Sequence, residues 1–412
     1  MTETLFLNAR LIDPASGRNE LGALLVRDGR IEAIGDGAKA AATSRADRVD
    51  LAGHLLCPGL VDMMAFKAEP AACLAGGITT VALMPDAGRP IDTDAAVEHV
   101  TGRRDGVRVL AYGAATRGLA GQEMAEMGLM HAAGAVGFSD GRRAIGDARV
   151  MRRVLSYAAR FDALVVQHCE DPALANGGVM NEGATATRLG LAGIPAAAET
   201  ILAEREARLT ELSGGRCHLG QVTAAETLDV VRRAKARGVR LTCGVSPHHL
   251  TLNETAVGDY RTFAKLSPPL RDEADRAACA AAVADGTVDV IVSVHDPQDE
   301  EDKRLPFSEA APGAVGAEAL LALALALYHK GEADLVTVLR CLTSRPAELL
   351  GLAAGRLVEG APADLVVIDL DAPWRIDKTA LKGVTKNTPH DGLPVQGRVR
   401  RTLVAGETLY QA

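Results

Sequence analysis

Between residues 55 and 294 the chain repeats one pattern: a short run of β-branched and aliphatic residues, then a longer stretch rich in Ala, Leu and Glu. That alternation constrains the fold more than any other feature, because apolar runs joined by helical crossovers make a parallel sheet buried on both faces. Eight runs can be counted, at 55–63, 78–84 ("ITTVALM"), 107–114 ("VRVLAYGA"), 135–139 ("AVGFS"), 164–168 ("LVVQH"), 218–222 ("HLGQV"), 241–245 ("LTCGV") and 288–294 ("VDVIVSV"). Interleaved with helical segments such as "AAETLDVVRRAKARG", they predict an α/β protein built on a (β/α)8 TIM barrel. The alternative, an open doubly wound sheet, needs a Gly-rich phosphate turn after its first strand. None is present.

The two ends read differently. "TLFLNARLIDPASGRNELGALLVRDGRIEAIG" and, at the far end, "GRLVEGAPADLVVIDLDAPWRI" with "GRVRRTLVAGETLY" are short alternating strands punctuated by Gly, Pro and Asp, the mark of hairpins. Neither end buries a core alone, so residues 1–54 and 352–412 are expected to pair into one small β-sandwich beside a barrel at 55–351. With 412 residues and 48% hydrophobic content, both cores can be filled.

A formal net charge of -8 without a long Lys/Arg block argues against nucleic acid as a partner. The seven cysteines are scattered, odd in number and form no C-x-x-C pair, which speaks against a disulfide framework and a structural zinc site. A reducing cytoplasm is the expected compartment. The N-terminus shows no basic segment followed by a long apolar one, and no run of ~18 apolar residues occurs, so a soluble, unprocessed chain is expected.

Ordered motifs run from end to end: "CPGLVD", "GGITTVALMP", "AVGFSDGRRAIGDARVMRR", "HCEDPALANGGVMNEG", "SPHHLTL", "KLSPPLR", "DVIVSVHDP", "KRLPF" and "KNTPHDGLPVQGRV". In these the chain resembles the dihydroorotase family of the amidohydrolase superfamily. The resemblance implies closure or opening of a cyclic dihydropyrimidine by zinc-bound hydroxide at the C-terminal ends of the barrel strands.

Set beside that pattern, the site is depleted. Where the resemblance implies two histidines on strand one, this chain has Met64 and Phe66, and neither a thioether nor a phenyl ring serves zinc. Asp140 remains on strand four, but Gly141 replaces the Asp that follows it. His168 is kept on strand five. On strand six His218 is kept, and Gln221 stands at the ligand position. The strand-eight Asp, which the resemblance makes the acid–base group, is Val294, with His295, Asp296 and Gln298 beyond it. Ala68, Asp86 and Gln298 stand where the family holds the substrate carboxylate, and Ser267 replaces a loop Asn. His248 and His249 read as turn-stabilising, His295 as bonded within the strand end, and "EDP" and "DEEDK" (299–303) as solvated loop charges.

Three apolar groups at the point of convergence predict a mouth packed with side chains. The expectation is therefore a protein that is not an enzyme, with no catalytic, cofactor-binding or metal-ligating residue and no cofactor. The resemblance further implies a structural or regulatory partner of aspartate carbamoyltransferase in pyrimidine synthesis, in a hetero-oligomer, with no membrane partner. The second reading is an amidohydrolase with a rebuilt, single-metal site, using His168, Asp140 and Asp296 on a different, neutral or cationic, cyclic amide.

Overall fold

A computed structural model describes residues 3–103 and 105–412; the first two residues of the N-terminal segment assigned above to the β-sandwich lie outside these. Barrel strands one to three, Leu60–Ala65, Ile78–Leu83 and Arg108–Ala111, pair in parallel. The third resumes after Tyr112 as Gly113–Ala114 and pairs with Gly137–Ser139. Leu164–Gln167, Arg216–Leu219, Leu241–Val245 and Val290–Ile291 follow in order, again parallel. The ring closes between strands one and eight: Val294 N donates to Met64 O at 3.1 Å and Phe66 N to His295 O at 2.9 Å.

Asp62 fastens that closure. Its fully buried carboxyl accepts from Ser293 N at 3.1 Å, Met64 N at 3.3 Å and the Ser293 hydroxyl. Every residue of strands one and two is buried, as a parallel sheet under helices requires. The covering helices start where their sequences signal it; Asp147, for example, caps Ala148–Ala158 by accepting from Arg149 N at 2.7 Å and Val150 N at 3.2 Å.

Both termini build the β-sandwich. Its sheet runs in the order Glu407–Gln411, Pro394–Val404, Leu365–Arg375, Leu55–Pro58, Glu3–Asp13, Arg18–Arg27 and Arg30–Ile34, with Asp47–Asp50 beside Glu3–Asp13. Phe6, Leu24, Ile31, Leu56, Val367 and Leu403 share its core. The single run at 55–63 is thus two strands in two sheets: Leu55–Pro58 pairs with Leu365–Arg375, and the barrel begins at Leu60. Gly59 makes the crossing because a Cβ there would collide with Thr79. Among the described residues no helix is long and apolar enough to cross a membrane.

One feature of this layout shapes the mouth. The segment after Leu365–Arg375 reaches back across the C-terminal ends of the barrel strands, where Asn387 Nδ2 donates to Gly313 O at 3.1 Å and His390 Nε2 lies 2.9 Å from His248 Nδ1. The barrel's functional end is therefore roofed partly by the C-terminal segment.

Candidate active site at the barrel mouth

Catalytic groups of (β/α)8 barrels sit at the C-terminal ends of the strands. A cavity of about 240 Å³ lies there, and Phe66, Arg142, His168, Gln221, Val294 and Asp296 are among its walls. A larger, more open cavity of about 920 Å³ lies at the opposite end. Its charges are matched among themselves, Asp289 being 2.7 Å from both Lys235 and Arg345, so it has the character of the stability face.

Met64, Phe66 and Val294 are buried in one apolar cluster with Val61, Met63 and Met84. Val294 is held at φ 45°. That left-handed conformation is unfavourable for a β-branched residue and easier for Asp, the residue the family pattern places there.

Arg142 dominates the polar side of the mouth. Its Nε and Nη2 reach the two oxygens of Asp296 at 3.0 and 2.6 Å, a bidentate pair, and Nη1 lies 3.0 Å from Asp86 Oδ2. The Arg142 main-chain N–H also donates to Asp86 Oδ2, at 2.9 Å. The guanidinium carbon sits 3.9 Å from the centre of the Phe66 ring, a cation–π contact. Burial alone would lower the guanidinium pKa, but the hydrogen bonds and charges of Asp296 and Asp86 carry it above its usual value. Burial raises the Asp296 carboxyl, with Arg142 working against the rise.

His168 forms the second polar group. Its Nε2 lies 3.4 Å from Glu170 Oε2 and 3.4 Å from Ser267 Oγ, and all but a few per cent of both His168 and Glu170 is buried. Burial would raise Glu170, but the hydrogen bond and charge of His168 hold its carboxyl below the usual range. Glu170 is therefore a buried partner of His168 and not the solvated loop charge expected of "EDP".

The remaining candidates are engaged elsewhere. Asp140 accepts from Thr116 N at 2.9 Å and from the Thr116 hydroxyl, so both oxygens anchor the loop after strand three. Gln221 donates to Ser267 O at 3.4 Å. His218 points into the barrel against Thr242, and His249 bridges Ser246 and Pro268 O. His295 accepts from Gly316 N and Ala317 N through Nδ1, which leaves Nε2–H facing Glu69 Oε2 at 3.5 Å. That pair connects the end of strand eight to the start of the helix after strand one, where Glu69 precedes Pro70–Ala75, and not, as expected, the strand end to itself.

The site does not fit zinc. Two ligand positions are apolar, Asp140 is capped and Asp296 is taken by Arg142. Among the described residues no three His, Cys, Asp or Glu side chains are grouped to hold a metal ion. The trio His168, Asp140 and Asp296 of the single-metal reading does not converge either.

Two departures from the family pattern prove to be one. Gly141 has φ 71°, and a Cβ there would land on the Asp86 carboxyl. Asp86 fills the space that a side chain at 141 would need. The sequence reading noted Asp86 and Gly141 separately and missed Arg142, the residue that joins them.

Comparisons with known proteins agree over the whole chain. The family described as Dihydro-orotase-like matches residues 47–227, and the Amidohydrolase family matches residues 326–410. A dihydroorotase of Anaplasma phagocytophilum is 39% identical over 426 residues, covering 99% of this chain and 95% of that one. One from Desulforapulum autotrophicum is 40% identical, covering 98% of each. Among solved structures, the L-hydantoinase (dihydropyrimidinase) of Arthrobacter aurescens superposes with a TM-score of 0.88 over 100% of this chain and 96% of that one, at 24% identity. The dihydropyrimidinase of Brevibacillus agri NCHU1002 gives 0.85 at 18% identity, over 100% of this chain and 95% of that one.

These relatives overturn one expectation. Full-length relatives at this level of identity carry the name of an enzyme, which points to hydrolase activity and corrects the reading of the chain as a non-enzyme. The physical reason for the error is that missing zinc ligands were equated with missing chemistry, although His168 and Glu170 retain groups able to move a proton.

Proposed function

Since the chain belongs to the dihydroorotase family of amidohydrolases, we propose that it opens or closes a small cyclic amide in a rebuilt barrel mouth, in the cytoplasm and in association with aspartate carbamoyltransferase. The observation that carries the catalytic part is His168 in the wall of a cavity of about 240 Å³, backed by the buried Glu170. That volume is below the ~300–1,000 Å³ of drug-sized pockets and suits a single small ring. Glu170, kept ionised, orients the imidazole; His168 takes a proton from the attacking water and delivers it to the departing ring nitrogen. Phe66, Val294 and Leu266 wall the cavity with apolar surface that limits competing water. No step is assigned to a metal.

Replacing the general base tests this directly. His168→Asn is expected to lower kcat for opening of dihydrouracil, a neutral cyclic amide, by roughly a hundredfold or more with the fold intact. Equal rates for variant and wild type, or no turnover by the wild type, would remove the catalytic reading.

The partner rests on the family resemblance, supported by a surface feature. Ile201 and Leu212 lie eleven positions apart on helix Ala197–Ser213, hence on one face, and are 54% and 62% exposed. Such a face could anchor a contact of standard size, roughly 800 Å² per partner. Mixed at micromolar concentration, the two purified proteins are expected to sediment as one species of several copies each. Separate, unshifted boundaries would rule the association out.

A further inference from the structure

The mouth holds a fixed cation of its own. Arg142 stacks on Phe66, presents Nε and Nη2 to Asp296 and gives Nη1 to Asp86, so both edges of the guanidinium that could fork a carboxylate are taken. The guanidinium faces two carboxylates, with the buried Lys303 on the far side of Asp296, and Glu170 sets a third carboxylate behind His168. Neighbouring glycines are shaped to this arrangement: Gly141 admits Asp86, and Gly313, at φ 121°, admits the Asp296 carboxyl and the Gln298 amide, since a Cβ at either would collide. Gln298 Nε2 in turn donates to Asp296 Oδ1 at 2.6 Å. The unit is built, with partners drawn from strand ends two, four and eight.

Resting on the reading of the mouth as a cyclic-amide site, we propose that this clamp sets the charge of the ligand: the mouth takes an uncharged cyclic amide or ureide and rejects the same ring carrying a carboxylate. A ring carboxylate would meet Asp296 in the wall, with Asp86 behind Arg142 and Glu170 behind His168, and no guanidinium edge to receive it; like charges in a partly desolvated cavity repel strongly. Arg143 also lines the cavity, but it is exposed at the rim, where solvent weakens its attraction. An uncharged ring meets only hydrogen-bonding groups and apolar wall.

The experiment measures equilibrium binding, which separates this proposal from the question of turnover. Dihydrouracil and its carboxylated counterpart dihydroorotate are titrated into the full-length protein by calorimetry, and into Asp86→Asn and Arg143→Gln variants whose folding is verified by their thermal melts. Wild type is expected to favour dihydrouracil by on the order of a hundredfold. Asp86→Asn, which frees one edge of Arg142 and removes one negative charge, is expected to narrow that preference by roughly tenfold. Arg143→Gln should leave it unchanged. Comparable binding of both rings by wild type, carboxylate binding that disappears in Arg143→Gln, an unchanged preference in Asp86→Asn, or binding of neither ring would each overturn the proposal. Loss of turnover with the binding preference retained would instead count against the catalytic reading alone.

Discussion

Acidification from pH 7 to pH 5 is expected to destabilise this protein severely, through histidines buried in neutral form. Burial pulls His218 and His249 down to about 4 and His390 to about 3, and it lowers His248, packed against His390, well below its usual value. In the unfolded chain each titrates near 6.5. Below that value the unfolded state binds more protons than the folded one, so stability is present above about 6.5 and is lost as pH falls toward the folded values. At about 1.4 kcal/mol per pH unit, His218, His249 and His390 each cost about 2 kcal/mol by pH 5, and His248 acts in the same direction. Burial raises the carboxyls of Asp62, Asp140 and Glu206, which work in the opposite sense above their unfolded values near 4 and offset part of the loss. A difference measurement isolates the histidine share. His390→Asn keeps a donor for His248, and the slope of unfolding free energy between pH 5 and 6 should flatten by close to one proton. An unchanged slope would show that His390 titrates normally in the folded protein.

The second large effect is expected at Arg142. Arg142→Met removes the partner of two carboxylates, one of them almost wholly buried, and leaves Asp296 with the Gln298 amide and the charge of Lys303. Breaking a buried pair from one side costs about 3–5 kcal/mol; because 36% of the Arg142 side chain is exposed, about 2–3 kcal/mol is expected here. Urea unfolding should show this as a lower midpoint with an unchanged slope. Arg142→Lys should recover little, since an ammonium can neither fork onto Asp296 nor reach Asp86 from the same position. A lysine variant as stable as wild type would mean that charge alone, and not the planar fork, holds the mouth.

The barrel was legible because burial on both faces writes continuous apolar runs into the sequence, and each parallel strand left one. What those runs did not reveal was the sheet to which each belongs: "LLCPGLVDMM" is one buried run with Asp62 as its single charged residue, yet Gly59 divides it between the sandwich and the barrel. The emptied ligand positions were equally legible, since Met64, Phe66 and Val294 differ from metal ligands in kind. The polar half was not. Arg142 lies 56 residues from Asp86 and 154 from Asp296, in a segment, "SDGRRAIGD", that reads as an ordinary charged loop. One signal could have pointed to it: an acid newly placed at 86, at the end of an apolar strand, requires a cation, and the loop after strand four offers Arg142 and Arg143. Asp140 misled for the reverse reason, because its partner Thr116 belongs to a different strand end and no pattern around Asp140 marks it.

On the proposed reading, this dihydroorotase-family barrel works through its own side chains and not through zinc, since no three His, Cys, Asp or Glu side chains among the described residues are grouped to hold it. The most direct measurement is the rate of dihydrouracil opening by protein dialysed against a strong chelator, beside the same protein without dialysis. An unchanged rate, with His168 required, is the predicted result. A rate that disappears on dialysis and returns with added zinc, or no turnover in either sample, would contradict the account.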